Sequence, residues 1–391
     1  MCGKEIRSLA AALLGGALAW AWPGAAPAEL LVVANDSKVV LVDGASTVVE
    51  KPGPDTVAVI EIGTFPPKVI AEFETPASVV GPPLSVAVTP DESLALVTAA
   101  MRIDPADPKK QAPDDRLTVI DLKASPPAVI AKLAAGKGAA GLSINRKGDL
   151  ALVANRSEGT VSVFSIAGKN VTKTDTIAIG DAKSGPSHVA ITPDGGMALV
   201  TRDGDHQISI LRIEGGKVTL DKRVMAAGLR PYGIDISADG RIAAVANLGL
   251  TPGDAQTVSV IDLAAKPPRV VDTISVGETP EGLLFSPDGK LLAVIIMNGS
   301  NRAKGSPFYN DGGRLQLYRV DGLRLAKVAE AKIGHWSQGI AFSADGRHVF
   351  AQNMVERNVM VFRWESGQLT DTGHRIPMKG GSAAMRTAVK R

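Results

Sequence analysis

Apolar and polar positions in this 391-residue chain fall into short bursts that return about every 45 to 60 residues. Each return reads as an apolar run, a turn of the Ser-Pro-Asp-Gly kind, a second apolar run and often an Asn. The clearest copies are Tyr232 to Asn247, Glu281 to Val294 and Gln338 to Arg347. Runs of four to eight residues rich in Val, Ile and Leu, bounded by turn residues, predict strands. A repeat of this period built from strands alone predicts stacked units that cannot bury their faces singly.

Each phrase continues into two more strand-like runs. One repeat holds Gly141–Ile144, Leu150–Asn155, Thr160–Ile166 and Thr172–Ile179, the four strands of a β-propeller blade. Third strands recur at Thr56–Ile62, Leu117–Leu122, Ile208–Ile213, Thr257–Leu263, Leu315–Val320 and Val359–Trp364, which makes seven blades. First strands start at Pro83, Gly141, Ser187, Tyr232, Glu281 and Gln338, one too few. The run Leu30–Asn35 therefore opens as a second strand, and Ser382–Ala388 is expected to complete blade one. The expected fold is all-β, a closed seven-bladed propeller of four-stranded antiparallel blades. Closure removes the sheet edges that an open array would expose.

Composition adds the address. Lys4 and Arg7 precede an apolar run, Leu9 to Trp22, and small residues Ala26-Pro-Ala28. That pattern predicts a signal peptide over 1–28, cut before Glu29, and a single propeller domain over 29–391. The run is shorter than the roughly 20 residues that span a bilayer, so no membrane anchor is expected. Cys2 is the only cysteine and lies in the leader, which excludes disulfides, thiolate metal sites and covalent haem from the mature chain. The expected location is the periplasm or the exterior, and the expected state a monomer. With 43 basic and 40 acidic residues scattered along the chain, no nucleic-acid footprint is visible.

The Asp-Gly pairs at 194–195, 239–240, 288–289 and 345–346 look like a carboxylate series, but a tight turn needs them for its backbone. Candidate chemistry lies on the opposite face, where connections before first strands and after second strands crowd the channel mouth. Long loops fall there at Met101–Arg116, Gly249–Gln256 and Asn298–Gly313. His188, Glu281 and His335 are the candidate general acid–base residues. Arg156, Arg202, Arg230, Tyr232, Asn247, Asn298, Trp336, Gln338 and Asn353 are the candidate ligand-binding residues. No spacing of His, Asp or Glu predicts a metal site, and no cofactor is expected. G-x-S-x-G, P-loop and C-x-x-C-H motifs are absent from the sequence.

The turns, together with Leu150-Ala-Leu-Val-Ala-Asn155 and Thr257-Val-Ser-Val-Ile-Asp-Leu263, resemble the YVTN-type β-propellers, within the larger group of seven-bladed lactonase-like propellers. The resemblance covers 29–391. It implies the fold, and a group that holds lactone hydrolases, redox-enzyme subunits, haem-carrying domains and exported binding proteins. Fold does not choose among them. Three readings stay open: a periplasmic module that binds a small molecule or partner protein at the channel mouth, a lactone hydrolase, and a subunit or maturation factor for periplasmic redox chemistry.

Overall fold

The computed structural model describes residues 29–81 and 83–389, so the expected leader and its cleavage site lie outside the described residues. Seven four-stranded antiparallel sheets surround a central channel. Six have their strands in chain order from the channel outward. Blade one is assembled from both ends of the chain, in the order Gly381–Thr387, Leu30–Asp36, Thr56–Glu61, Lys68–Glu74. The expected closure is therefore observed. No helix among the described residues is long and apolar enough to cross a membrane.

Burial explains the sequence pattern. Second strands such as Leu150–Asn155, Ile242–Asn247 and Leu291–Ile296 are buried at every position, because each is covered by a neighbouring blade on both faces. Outermost strands such as Ala128–Ala134 alternate exposed and half-buried residues. Each seam between blades holds its own apolar cluster. Between the sixth and seventh blades, Leu284, Ile295 and Leu317 pack on Phe342, Val349 and Phe362.

The Asp-Gly turns are structural, as their sequence predicts. Asp194, Asp239, Asp288 and Asp345 each accept a hydroxyl hydrogen bond from Thr192, Ser237, Ser286 and Ser343 at 2.6–2.7 Å. Their oxygens also accept backbone N–H bonds two residues on.

Two additions escape the repeat. The stretch after the first strand folds into a hairpin, Val39–Val42 with Ala45–Val48. It is anchored by buried Lys38, whose Nζ lies 3.1 Å from Asp36 and 2.8 Å from Asp55. Within the loop expected over Met101–Arg116, the strands Met101–Ile103 and Gln111–Pro113 pair.

The innermost strands of blades three to seven share one register, so Ala139, Pro186, Pro231, Pro280 and Ser337 are equivalent. Two positions on stand Gly141, His188, Gly233, Gly282 and Gly339. The glycines let neighbouring strands crowd together, since a Cβ on Gly282 would sit 2.2 Å from the Gln338 carbonyl oxygen. Gly282→Ala is expected to lower stability by about 2 kcal/mol or more, read by urea unfolding. An unchanged midpoint would show that the blades can separate at this level without loss.

Candidate functional site at the channel mouth

The shared register sorts the chemistry into tiers. One position after the strand start stand Ala140, Ser187, Tyr232, Glu281 and Gln338, so the polar members line consecutive blades around the mouth. The residue just before the strand start has positive φ in all five blades. Gly138 and Gly185 adopt it freely, whereas Arg230, Thr279 and Trp336 hold it at φ 56°, 55° and 49°. A non-glycine residue in this region costs on the order of 1 kcal/mol, a strain that gathers at functional sites.

Arg230 shows what the strained position delivers. Its Nη2 lies 3.2 Å from Asp203 Oδ2, and Arg156 Nη2 reaches the same oxygen at 2.7 Å. Arg156 Nη1 donates to Ser187 Oγ at 2.6 Å, and its guanidinium lies 5.6 Å from the centre of the Tyr232 ring. Burial disfavours the Arg156 charge, but the nearby Tyr232, Asp203 and Glu281 outweigh it and raise its pKa. Asp203 and Tyr232 are themselves buried.

Glu281 is the unusual group. It is 8% exposed, and its Oε2 is buried without a hydrogen-bond partner among the described residues. Burial pushes its pKa up to about 8, against the opposing pull of Arg230 and Arg156. At neutral pH this carboxyl is therefore mostly protonated. Burial also pushes the Tyr232 hydroxyl well above its ordinary value. A raised carboxyl beside two guanidiniums is a pattern that acid–base sites use.

The cleft above this cluster is walled by three separate insertions. Leu41, Gly44 and Ser46 come from the first hairpin, Thr251 and Pro252 from the second expected loop, and Asn301 and Arg302 from the third. The insertions brace one another: a Cβ on Gly44 would meet Ala303 N at 2.3 Å, and one on Gly253 would meet Phe308 at 2.3 Å. Arg302 is fixed by Glu278 at 2.9 Å. The expected loop Met101–Arg116 contributes no wall residue to this cleft.

Of the expected site residues, Arg156, Arg230, Tyr232 and Glu281 are brought together. The other two expected acid–base residues stand apart from them. His188 is buried where other blades carry Gly, and burial, followed by the field of Arg386, depresses its pKa to about 3. It is neutral at working pH and a feeble base. His335 bonds Glu356 at 2.6 Å through Nδ1 and approaches Asp311 at 3.2 Å, so its ring is engaged with the outer loop.

Several expected binding residues hold the frame instead. Asn247 donates to Thr257 and Ser259, and Asn353 joins Gly334, Ser337 and Asn358. Asn298 donates to the Gly312 carbonyl, and Gln338 to that of Val79. Arg202 is tied to Asp205 and to Ser209. Trp336 is 8% exposed and packs with Met297 and Met354, although its edge reaches the cleft. Asp203, which holds both arginines, belongs to the mouth face by its place directly after a second strand, one residue beyond Arg202, although it is not among the expected binding residues.

Residues 115–229 match the family model described as Lactonase, 7-bladed beta-propeller. It has the fold of the seven-bladed lactonase-like propellers. None of the curated proteins matches the sequence significantly. Among solved structures, the chain is similar to the periplasmic gluconolactonase of Pseudomonas aeruginosa. That likeness has 18% identity and a TM-score of 0.67, over 92% of this chain and 98% of that one. A functionally unknown protein from Desulfotomaculum acetoxidans DSM 771 is alike at 15% identity and TM-score 0.67, over 93% and 100%. Kuenenia stuttgartiensis hydrazine synthase is alike at 18% identity and TM-score 0.60, over 77% and 88%. At these identities the likeness concerns the fold.

Proposed function

We propose that the channel mouth binds a small lactone and opens it with water. The observation that carries this reading is Glu281, a buried carboxyl with a raised pKa facing Arg230 and Arg156. In its ionised form Glu281 accepts a proton from water as that water attacks the lactone carbonyl. The guanidiniums offset the charge that develops on the carbonyl oxygen, and the ring oxygen leaves with a proton as the hydroxy acid forms. The arginines then favour a carboxylate product or a polyhydroxylated ring. Similarity to a gluconolactonase supports a sugar-acid lactone. The leader-like residues 1–28 support a periplasmic setting for it.

Binding without turnover is the second reading, favoured by the shared commitment of Arg156 and Arg230 to Asp203. A panel of γ- and δ-aldonolactones, corrected for spontaneous opening, separates the two. Turnover is expected to rise with pH towards 8 and to fall about 100-fold or more in Glu281→Gln. Arg230→Gly, which keeps the backbone comfortable at φ 56°, is expected to raise KM. Ligand-induced thermal stabilisation without turnover would select the binding reading. Neither turnover nor stabilisation by any lactone would reject the proposal.

A further inference from the structure

Two guanidiniums and two carboxyls meet at the channel mouth, and the fold divides them unevenly. Arg156 follows the second strand of blade three and Arg230 precedes the first strand of blade five, so they enter from either side of blade four. Asp203, directly after the blade-four strand Met197–Arg202, stands between them and takes both on one oxygen, Oδ2. Glu281, from the first strand of blade six, feels both charges. It forms no hydrogen bond or ion pair with either arginine among the described residues.

Local packing fixes Asp203 in that place. Asp203 N donates to the Gly185 carbonyl at 3.2 Å, and a Cβ on Gly185 would lie 2.5 Å from Asp203 Oδ1. The side chain that Gly185 lacks is therefore the room that the carboxylate fills. Oδ1 is buried in that room without a partner, which leaves Oδ2 to carry both arginines. The arginines are held from their own side as well. Ser187 Oγ donates to the Gly185 carbonyl at 3.0 Å and accepts from Arg156 Nη1, while Arg230 N donates to His206 Nδ1 at 3.2 Å.

The other charged groups around Glu281 have partners of their own. Glu278, earlier on the same segment, binds Arg302, and Asp205 binds Arg202. His335 is turned to Glu356 and Asp311. On the blade-seven side Trp336, Ser337 and Gln338 are neutral, and on the blade-five side burial keeps the proton on Tyr232. Glu281 is thus the carboxyl left without a cation, and it would be free to take the arginines if Asp203 released them.

We propose that Asp203 is a positioning residue: by holding Arg156 and Arg230 it keeps them from pairing with Glu281, and so leaves Glu281 an oxygen free to accept a proton. Unpaired and buried, that carboxyl retains a basicity that an ion pair would remove. The use of that basicity on a lactone rests on the proposed function; the division of the arginines does not.

An isotope label on the side-chain carboxyls of glutamate reads Glu281 by NMR in the full chain, with Glu281→Gln assigning its line by absence. The parent is expected to titrate near pH 8. Asp203→Asn keeps the size and removes the charge. Its Glu281 midpoint is expected about one pH unit or more lower, because released guanidiniums favour the ionised carboxyl. Adding Arg156→Gln to that variant is expected to bring the midpoint part of the way back. If Asp203→Asn does not fold, Gly185→Ala crowds Oδ1 without removing the carboxylate and is expected to move the midpoint the same way. On a lactone, kcat of Asp203→Asn is expected to fall about tenfold at pH 8, with the pH profile displaced to lower pH. A merely structural role would lower kcat without moving the profile and would overturn the proposal. A Glu281 midpoint that stays or rises would overturn it too. Absence of lactone turnover in the parent would reject the proposed function, while the titration would still decide how the arginines are shared.

Discussion

A chain that ends at Lys379 is expected to lose its cooperative thermal transition. The strand it lacks, Gly381–Thr387, pairs with the first strand from Leu31↔Thr387 to Asp36↔Gly381. Removing it converts Leu30–Asp36, buried at all seven positions, into an open apolar edge. Such an edge is a template for pairing with other chains. The loss also reaches both neighbouring seams. Ala384 belongs to the cluster between blades one and two, and Met385 to that between blades seven and one. The Arg386–Asp235 pair across the channel disappears with them, leaving Asp235 as a buried carboxyl without its cation. Together these losses are comparable to the roughly 5–15 kcal/mol by which a domain is stable. Calorimetry should show a weak, broad transition and light scattering should show association. A synthetic 380–391 peptide is expected to restore part of the transition by supplying the strand in trans. A sharp transition at the full-length temperature would mean that the blades hold the ring without its clasp.

This clasp was legible because strand period, turn chemistry and blade count are local signals that a repeat multiplies. Six first strands against seven third strands left one partner to find, and Ser382–Ala388 alone had the small apolar pattern for it. The site was legible only in part. The topology put Arg156, Arg230, Tyr232 and Glu281 on one face, and they do meet there. It could not say that His188 would be sealed in the channel, because burial there depends on glycines in neighbouring blades. Nor could it separate Asn247 and Asn353, which bind the frame, from side chains left open to a ligand. Both kinds are polar residues after second strands. The hairpin Val39–Val48 was invisible for a different reason: it interrupts the one blade whose repeat is split between the chain ends. One signal was available and unused. At the residue before the first strands of blades three to seven, Gly138 and Gly185 give way to Arg230, Thr279 and Trp336, and a bulky residue where others have Gly marks a place where strain is tolerated.

Glu281→Gln is expected to make the protein more stable at alkaline pH while removing the proposed activity. The sign follows from the proton. Glu281 has an ordinary pKa of 4.5 when unfolded and about 8 in the native protein, raised chiefly by burial. Below pH 4.5 both states hold the proton, and the stabilisation associated with the neutral native carboxyl is complete. As pH rises from 4.5 to 8 the unfolded chain releases its proton while the folded one keeps it, so stability falls. Above 8 the native carboxyl must also ionise, and the loss is complete. One pKa unit corresponds to roughly 1.4 kcal/mol, which makes the full loss on the order of a few kcal/mol. Gln has nearly the same shape and no proton to lose, so the variant's stability should be flatter across this window. Buried Asp36 and Asp235, whose pKa values are also raised by burial, contribute a slope common to both proteins. Urea unfolding at pH 5, 7 and 9 reads the difference, with the variant gaining on the parent at each step. Parallel curves would mean that Glu281 is already ionised at pH 7, held so by Arg156 and Arg230 against its burial. The same result would remove the argument for a base that activates between pH 7 and 8. Stability lost at the mouth by ionising Glu281 is thus the physical counterpart of the basicity that opening a lactone would require.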